Sequence, residues 1–141
     1  MSRIYWDSML FVYWLEDHPV HAPRVEQLHE RIRMRSDTLC TSTFALGEIL
    51  TGLYREGEAE IARQTQQKLR AALVELIPFT AETAEHFGRI RAAGRVSPAD
   101  AIHLASAAQF GVNLFLTNDR RLSRLIVPGI DFIAGMDTNL F

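Results

Sequence analysis

The sequence predicts an α/β domain with a mainly parallel central sheet flanked by helices. Two observations carry this. Short apolar runs such as "RIYW" and "VNLFLT" recur along the chain, each separated from the next by a segment of helical period. Strong helix-start signals also follow such runs or open these segments, as in "STFALGEIL" and "SPADAIHLA". With 141 residues the chain has the length of one domain, 1–141, and enough material to bury a core.

The elements follow in order. Ile4–Trp6 reads as a short buried strand and Ser8 to about Glu16 as a helix that His18-Pro19 breaks. Arg24 to about Arg35 is a second helix, with Val25, Leu28 and Ile32 on one stripe. Thr38–Thr43 is a strand. Thr43 can cap a helix through about Arg55, with Leu46, Ile49, Leu50 and Leu53 facing the core and Gly57 after its end. Glu58 to about Leu73 is a polar helix, and Val74–Pro78 a strand. Thr80 caps a helix that runs to Ala93 and stops at Gly94. Ser97-Pro98-Ala99-Asp100 combines a cap, a first-turn proline and an acid on the helix dipole. That helix runs to about Phe110 and ends at Gly111. Val112–Thr117 is an apolar strand, "NDRRL" a short helix and Ile130–Ile133 a last strand.

Composition narrows the class. Apolar residues are 48% and charged residues 23%, as in ordinary soluble domains. The longest apolar run, Met9–Leu15, is too short to span a bilayer, and the N-terminus reads as a strand rather than a signal peptide. Cys40 is the only cysteine, so no disulfide forms within the chain, which fits a reducing cytoplasm. The net charge of −2 argues against bulk-charge binding of nucleic acid, so any such contact is local. Of the 15 basic residues only Lys68 is a lysine; arginine's planar fork suits phosphate, although a compositional bias is the plainer account of the ratio.

Four acids sit in settings wrong for surface charges. Asp7 ends an apolar strand within "RIYWDSMLF", and Asp119 follows "VNLFLT". In a parallel sheet both lie at the carboxyl edge, where ligands bind. Glu48 is the only charge in "FALGEILTGL", and Asp100 opens the "SPADAIHLASAA" helix. Each has an ordinary reading as well: Asp100 as a cap, Asp119 as an Asn-Asp turn residue, Glu48 as a solvated helix position. Carboxylates gathered together repel, and a hard divalent cation resolves that repulsion.

On "IYWDS", "STFALGEILTGL", "SPADAIHLASAA" and "LFLTNDRRL", in this order, the chain resembles PIN-domain ribonucleases, and most closely VapC-type toxins, over essentially its whole length. The resemblance implies a PIN-like three-layer fold and metal-dependent hydrolysis of RNA phosphodiesters. It implies Asp7, Glu48, Asp100 and Asp119 as the catalytic, metal-binding acids, with Mg²⁺ or Mn²⁺ as cofactor. Ser8 and Thr117 match positions where the family carries supporting hydroxyls. Met9 departs from the pattern, since many members have a small polar residue there. The family further implies transfer RNA or ribosomal RNA as substrate, a cognate VapB-like antitoxin and a homodimer.

Arg120, Arg121 and Arg124 beside Asp119 are candidates to grip the RNA backbone, and a solvated helix face explains each of them equally well; Arg89, Arg91 and Arg95 before Asp100 are a second candidate patch. His18 and His21 read as surface residues. His103, one turn after Asp100, reads as a satisfied structural histidine that can also face the site. Tyr5, Trp6, Phe11, Tyr13 and Trp14 are spaced for core or an interface rather than for base stacking. Two other functions compete: a PIN-fold module that binds RNA or protein without cutting, and a phosphotransfer domain with Asp7 as nucleophile. The second lacks the usual nearby acid, since Ser8 and Met9 hold those positions.

Overall fold

The computed structural model describes residues 1–139. Five strands, β1 (Arg3–Trp6), β2 (Thr38–Ser42), β3 (Glu75–Ile77), β4 (Leu114–Thr117) and β5 (Phe132–Gly135), form one sheet in the order β3-β2-β1-β4-β5. Every pairing is parallel. Six helices connect and cover it: α1 (Ser8–Leu15), α2 (Ala22–Met34), α3 (Thr43–Arg55), α4 (Ala59–Ala71), α5 (Ala81–Ala93) and α6 (Pro98–Phe110). This is the three-layer α/β architecture expected. Among the described residues no helix is long and apolar enough to cross a membrane.

Alternation along β1 divides the core. Ile4 and Trp6 face a layer with Leu10, Phe11, Val25, Leu28, Ile49 and Leu69, drawn from α1–α4. Tyr5 faces the other way, into a layer with Phe115, Leu104, Ala107 and Val96 against α5 and α6. Small residues on α6 let that helix lie close: Ala101, Ala105 and Ala107 are fully buried. α6 ends as its sequence demands, with Gly111 in the left-handed region at φ 67°. Gly129 (φ +98°) is required twice over, because a Cβ there would stand 2.9 Å from the Ala108 carbonyl oxygen.

Several boundaries move. The cap of α3 is Ser42, not Thr43: its side chain accepts from Ala45 N at 2.9 Å, and Thr43 becomes the first helical residue. The second helix starts at Ala22, with Pro23 in its first turn, rather than at Arg24. The segment after Asn118 forms only a 3-10 turn, Leu122–Arg124. The last strand is Phe132–Gly135 rather than Ile130–Ile133, because register pairs Leu114 with Phe132 and Thr117 with Gly135.

Cys40 lies in the middle of β2, fully buried, with its thiol donating to the Ile4 carbonyl at 3.4 Å. Burial pushes the thiol up to about 12. The folded protein is therefore expected to leave a disulfide reagent unconsumed in mildly alkaline buffer and to consume one equivalent once denatured. Rapid reaction of the native protein would contradict this burial.

Candidate active site

β1 and β4 are neighbours, with Trp6 aligned to Leu116, so their carboxyl ends open on the same edge. The Asp7 amide still bonds the Leu116 carbonyl at 3.2 Å, which holds Asp7 at the strand's exit. The side chain then caps α1: Oδ1 accepts from Met9 N at 3.1 Å. Oδ2 accepts from Thr117 Oγ1 at 2.5 Å, and the same threonine oxygen accepts from Asp119 N at 3.0 Å. One hydroxyl at the end of β4 thus ties the first and last of the four acids together.

Glu48 projects half-buried from α3. Its Oε1 meets His103 Nε2 at 2.6 Å, and the Ser8 side chain also hydrogen-bonds to this carboxylate. Asp100 is the third residue of α6, and its amide donates to Ser97 Oγ at 3.2 Å. It serves the helix start as expected, yet its half-buried side chain also faces the site. Asp119 accepts from Arg121 twice through the guanidinium, at 3.2 and 2.9 Å, and once from the Arg121 amide at 2.9 Å.

A cavity of about 500 Å³ is lined by all four acids together with Ser8, Met9, His103, Arg120 and Arg121. Arg124 and Arg95 are exposed and do not line it. Tyr13 and Asn118 do, paired by Asn118 Nδ2 donating to Tyr13 Oη at 3.0 Å. Tyr13 gave no sign of this in sequence, because its spacing within α1 is that of a core residue. His18 and His21 are half-buried rather than surface residues, and both rings pack on Tyr13. His18 Nδ1 accepts from the amides of Val20 and His21, so the proline-broken loop uses it as a turn cap.

The electrostatics separate the acids. Burial pushes the Asp7 carboxyl up; the Thr117 hydrogen bond and the nearby His103 oppose this but do not cancel it. Burial also pushes Glu48 up, but the hydrogen bond and charge of His103, helped by Ser8, outweigh it and leave the group below its usual range. The Arg121 fork holds Asp119 low. Of these three, Asp7 is therefore the acid whose charge the protein compensates least.

The donor set fits a hard divalent ion. A buried carboxylate held only by a hydroxyl and backbone amides is short of positive charge, and three further carboxylates share its cavity. Among the described residues no three His, Cys, Asp or Glu side chains are gathered closely enough to hold one ion together. Mg²⁺ does not require that: it is ordinarily bound through one or two carboxylates, with waters completing its shell.

Comparison with known proteins agrees with this architecture. A search of curated protein sequences finds no match. Among solved structures the chain is similar to VapBC2 from Rickettsia felis bound to a DNA fragment from its promoter, at 18% identity and a TM-score of 0.72, covering 94% of this chain and 98% of that one. It is also similar to a toxin–antitoxin complex from Klebsiella pneumoniae, at 16% identity and 0.66, covering 90% and 94%. A third is Mycobacterium tuberculosis VapC20, described as a sarcin-ricin loop cleaving toxin, at 18% and 0.65, covering 87% and 96%. At these identities the likeness speaks for the fold. The family model for the PIN domain matches residues 4–127, and the chain belongs to the PIN domain family.

Proposed function

We propose that this chain is a VapC-type toxin: a metal-dependent endoribonuclease, inhibited by a cognate VapB-like antitoxin. The observation that carries the reading is the meeting of Asp7, Glu48, Asp100 and Asp119 in one cavity at the carboxyl edge of β1 and β4. One or two of these would bind Mg²⁺ or Mn²⁺ directly and the others through water, with Ser8 and Thr117 fixing Glu48 and Asp7. A bound divalent ion supplies an acidified water and stabilises charge at the phosphate.

The protein's own residues position the RNA. Arg120 and Arg121 stand on the cavity wall, where phosphate oxygens would pass. Arg121 must leave Asp119 to reach them, and its side chain is 87% exposed, so breaking that ion pair costs little. Arg124 and Arg95 would serve farther along the strand. Transfer RNA and ribosomal RNA are the substrate classes this reading admits, and the cytoplasm is where it would meet them.

The antitoxin reading also has a surface to support it. A groove of about 310 Å³ runs from Glu48 between α1, α3 and α4, floored by Val12, Leu15, Ile49 and Leu53, with Glu16 and Glu56 also lining it. An amphipathic segment carrying a basic residue would suit it in shape and charge. The homodimer of this reading would cover apolar surface such as Ile126, which is 97% exposed beside Val96 and Leu125.

The test is cleavage of purified transfer RNA and ribosomal RNA with Mn²⁺ or Mg²⁺. Discrete fragments are expected with metal and none in EDTA. Equal cleavage in EDTA would overturn the metal-dependent reading. Retention of RNA without cleavage would favour the non-catalytic binding module instead.

A further inference from the structure

The Glu48 side chain is one end of a chain of hydrogen bonds that closes on its own helix. Ser42 Oγ, the cap of α3, accepts from the Tyr5 hydroxyl at 3.0 Å. The same hydroxyl lies 2.7 Å from His103 Nδ1, and His103 Nε2 lies 2.6 Å from Glu48 Oε1. Four elements contribute: β1, the end of β2, α6 and α3. The path is deeply buried, with Tyr5 at 0% and His103 at 4% exposure.

Packing alone does not call for this polarity. Phe115 stacks on the Tyr5 ring at 4.9 Å, and Phe44 meets the His103 ring edge-on at 5.5 Å. An apolar side chain at position 103 would avoid the cost of burying both ring nitrogens. What the imidazole adds is geometry. Its two nitrogens are held at opposite ends, so the ring cannot turn, and a glutamate with several rotamers is fixed in one.

We propose that His103 is a positioning residue. It sets the rotamer of Glu48, and so the direction in which that carboxylate faces the cavity, while Tyr5 and Ser42 fix the imidazole in turn. The inference rests on the reading of Glu48 as a carboxylate of the metal site.

Two variants separate positioning from packing. His103→Gln places an amide nitrogen near the Nε2 position and keeps the Glu48 partner. His103→Asn reaches only the Nδ1 position and keeps the Tyr5 partner. Calorimetric titration with Mn²⁺ alone, beside thermal melting, reads both. Wild type is expected to bind Mn²⁺ most tightly, His103→Gln, which keeps the Glu48 partner but gives up the Tyr5 anchor, more weakly, and His103→Asn most weakly, about 10-fold or more below wild type, whatever the order of melting temperatures. Equal Mn²⁺ affinity for the two variants, with differences in melting alone, would make His103 purely structural and overturn the inference. Failure of the wild type to bind Mn²⁺ would overturn the reading of the site itself, and the inference with it. Should either variant fail to fold, Tyr5→Phe removes only the hydroxyl facing Nδ1. Weaker Mn²⁺ binding is expected of it, and unchanged affinity overturns the proposal.

Discussion

Asp7→Asn is expected to abolish RNA cleavage and, in the metal-free protein, to remove a penalty that grows with pH. The activity loss should exceed the roughly 10–100-fold that follows from removing a mere partner of a metal ligand. The stability argument rests on the raised Asp7 carboxyl, whose ordinary value is 3.8. Below that value Asp7 is protonated both folded and unfolded. Between it and the raised folded value, the folded state holds a proton that the unfolded state has released, so stability falls as pH rises. Above the folded value the loss is complete. Glu48 and Asp119, both held low, act in the opposite sense on acidification, so the informative quantity is the difference between wild type and variant. That difference should swing against the wild type as pH rises, at about 2–4 °C of melting temperature per kcal/mol for a chain near this size. Added Mn²⁺ should raise the wild-type melting temperature and leave that of Asp7→Asn almost unmoved. Cleavage by Asp7→Asn at the wild-type rate would remove Asp7 from the chemistry.

Trp6→Ala is expected to have the largest effect on folding. Trp6 ends the central strand, is fully buried, and packs on Phe11 at 5.1 Å, Trp14 at 6.0 Å and His29 at 6.4 Å. Truncating so large a side chain costs about 3–5 kcal/mol, roughly a fifth or more of the stability of a typical domain. Trp6→Phe should cost much less. Beyond keeping most of the packing, it removes Trp6 Nε1, a buried donor without a hydrogen-bond partner among the described residues. Urea unfolding of the two variants checks the order, and equal losses would mean that the ring's bulk matters little there.

The backbone plan was legible because each strand's apolar run leaves few alternatives. Val112–Thr117, Thr38–Thr43 and Ile4–Trp6 each coincide with a strand to within two residues at an end, and the Ser97-Pro98 start lands where its chemistry requires. Boundaries were less legible where neighbouring residues offer the same chemistry. Ser42 and Thr43 both carry a cap hydroxyl, and only the burial of Ser42 beside Tyr5 decides between them. The last strand is placed by register with β4, which no local pattern encodes. In the site, the four acids stood out because charge in an apolar run is conspicuous. Their partners did not. His103 reads locally as a histidine on an apolar helix, and its bonds to Glu48 and Tyr5 span 55 and 98 residues. The Arg121–Asp119 pair is close in sequence, yet a turn had to form before the arginine could fold back.

The strand order has a consequence for timing during synthesis. β1 emerges first, but one of its two neighbours is β4, and Thr117, the partner of Asp7, lies 110 residues later. Asp100 and Asp119 also come from the last third of the chain. A nascent chain on the ribosome therefore carries half of the acids without the strand that aligns them. If the chain cuts RNA, it cannot do so while it is still being made, and its activity begins only once its C-terminal strands have paired with its first.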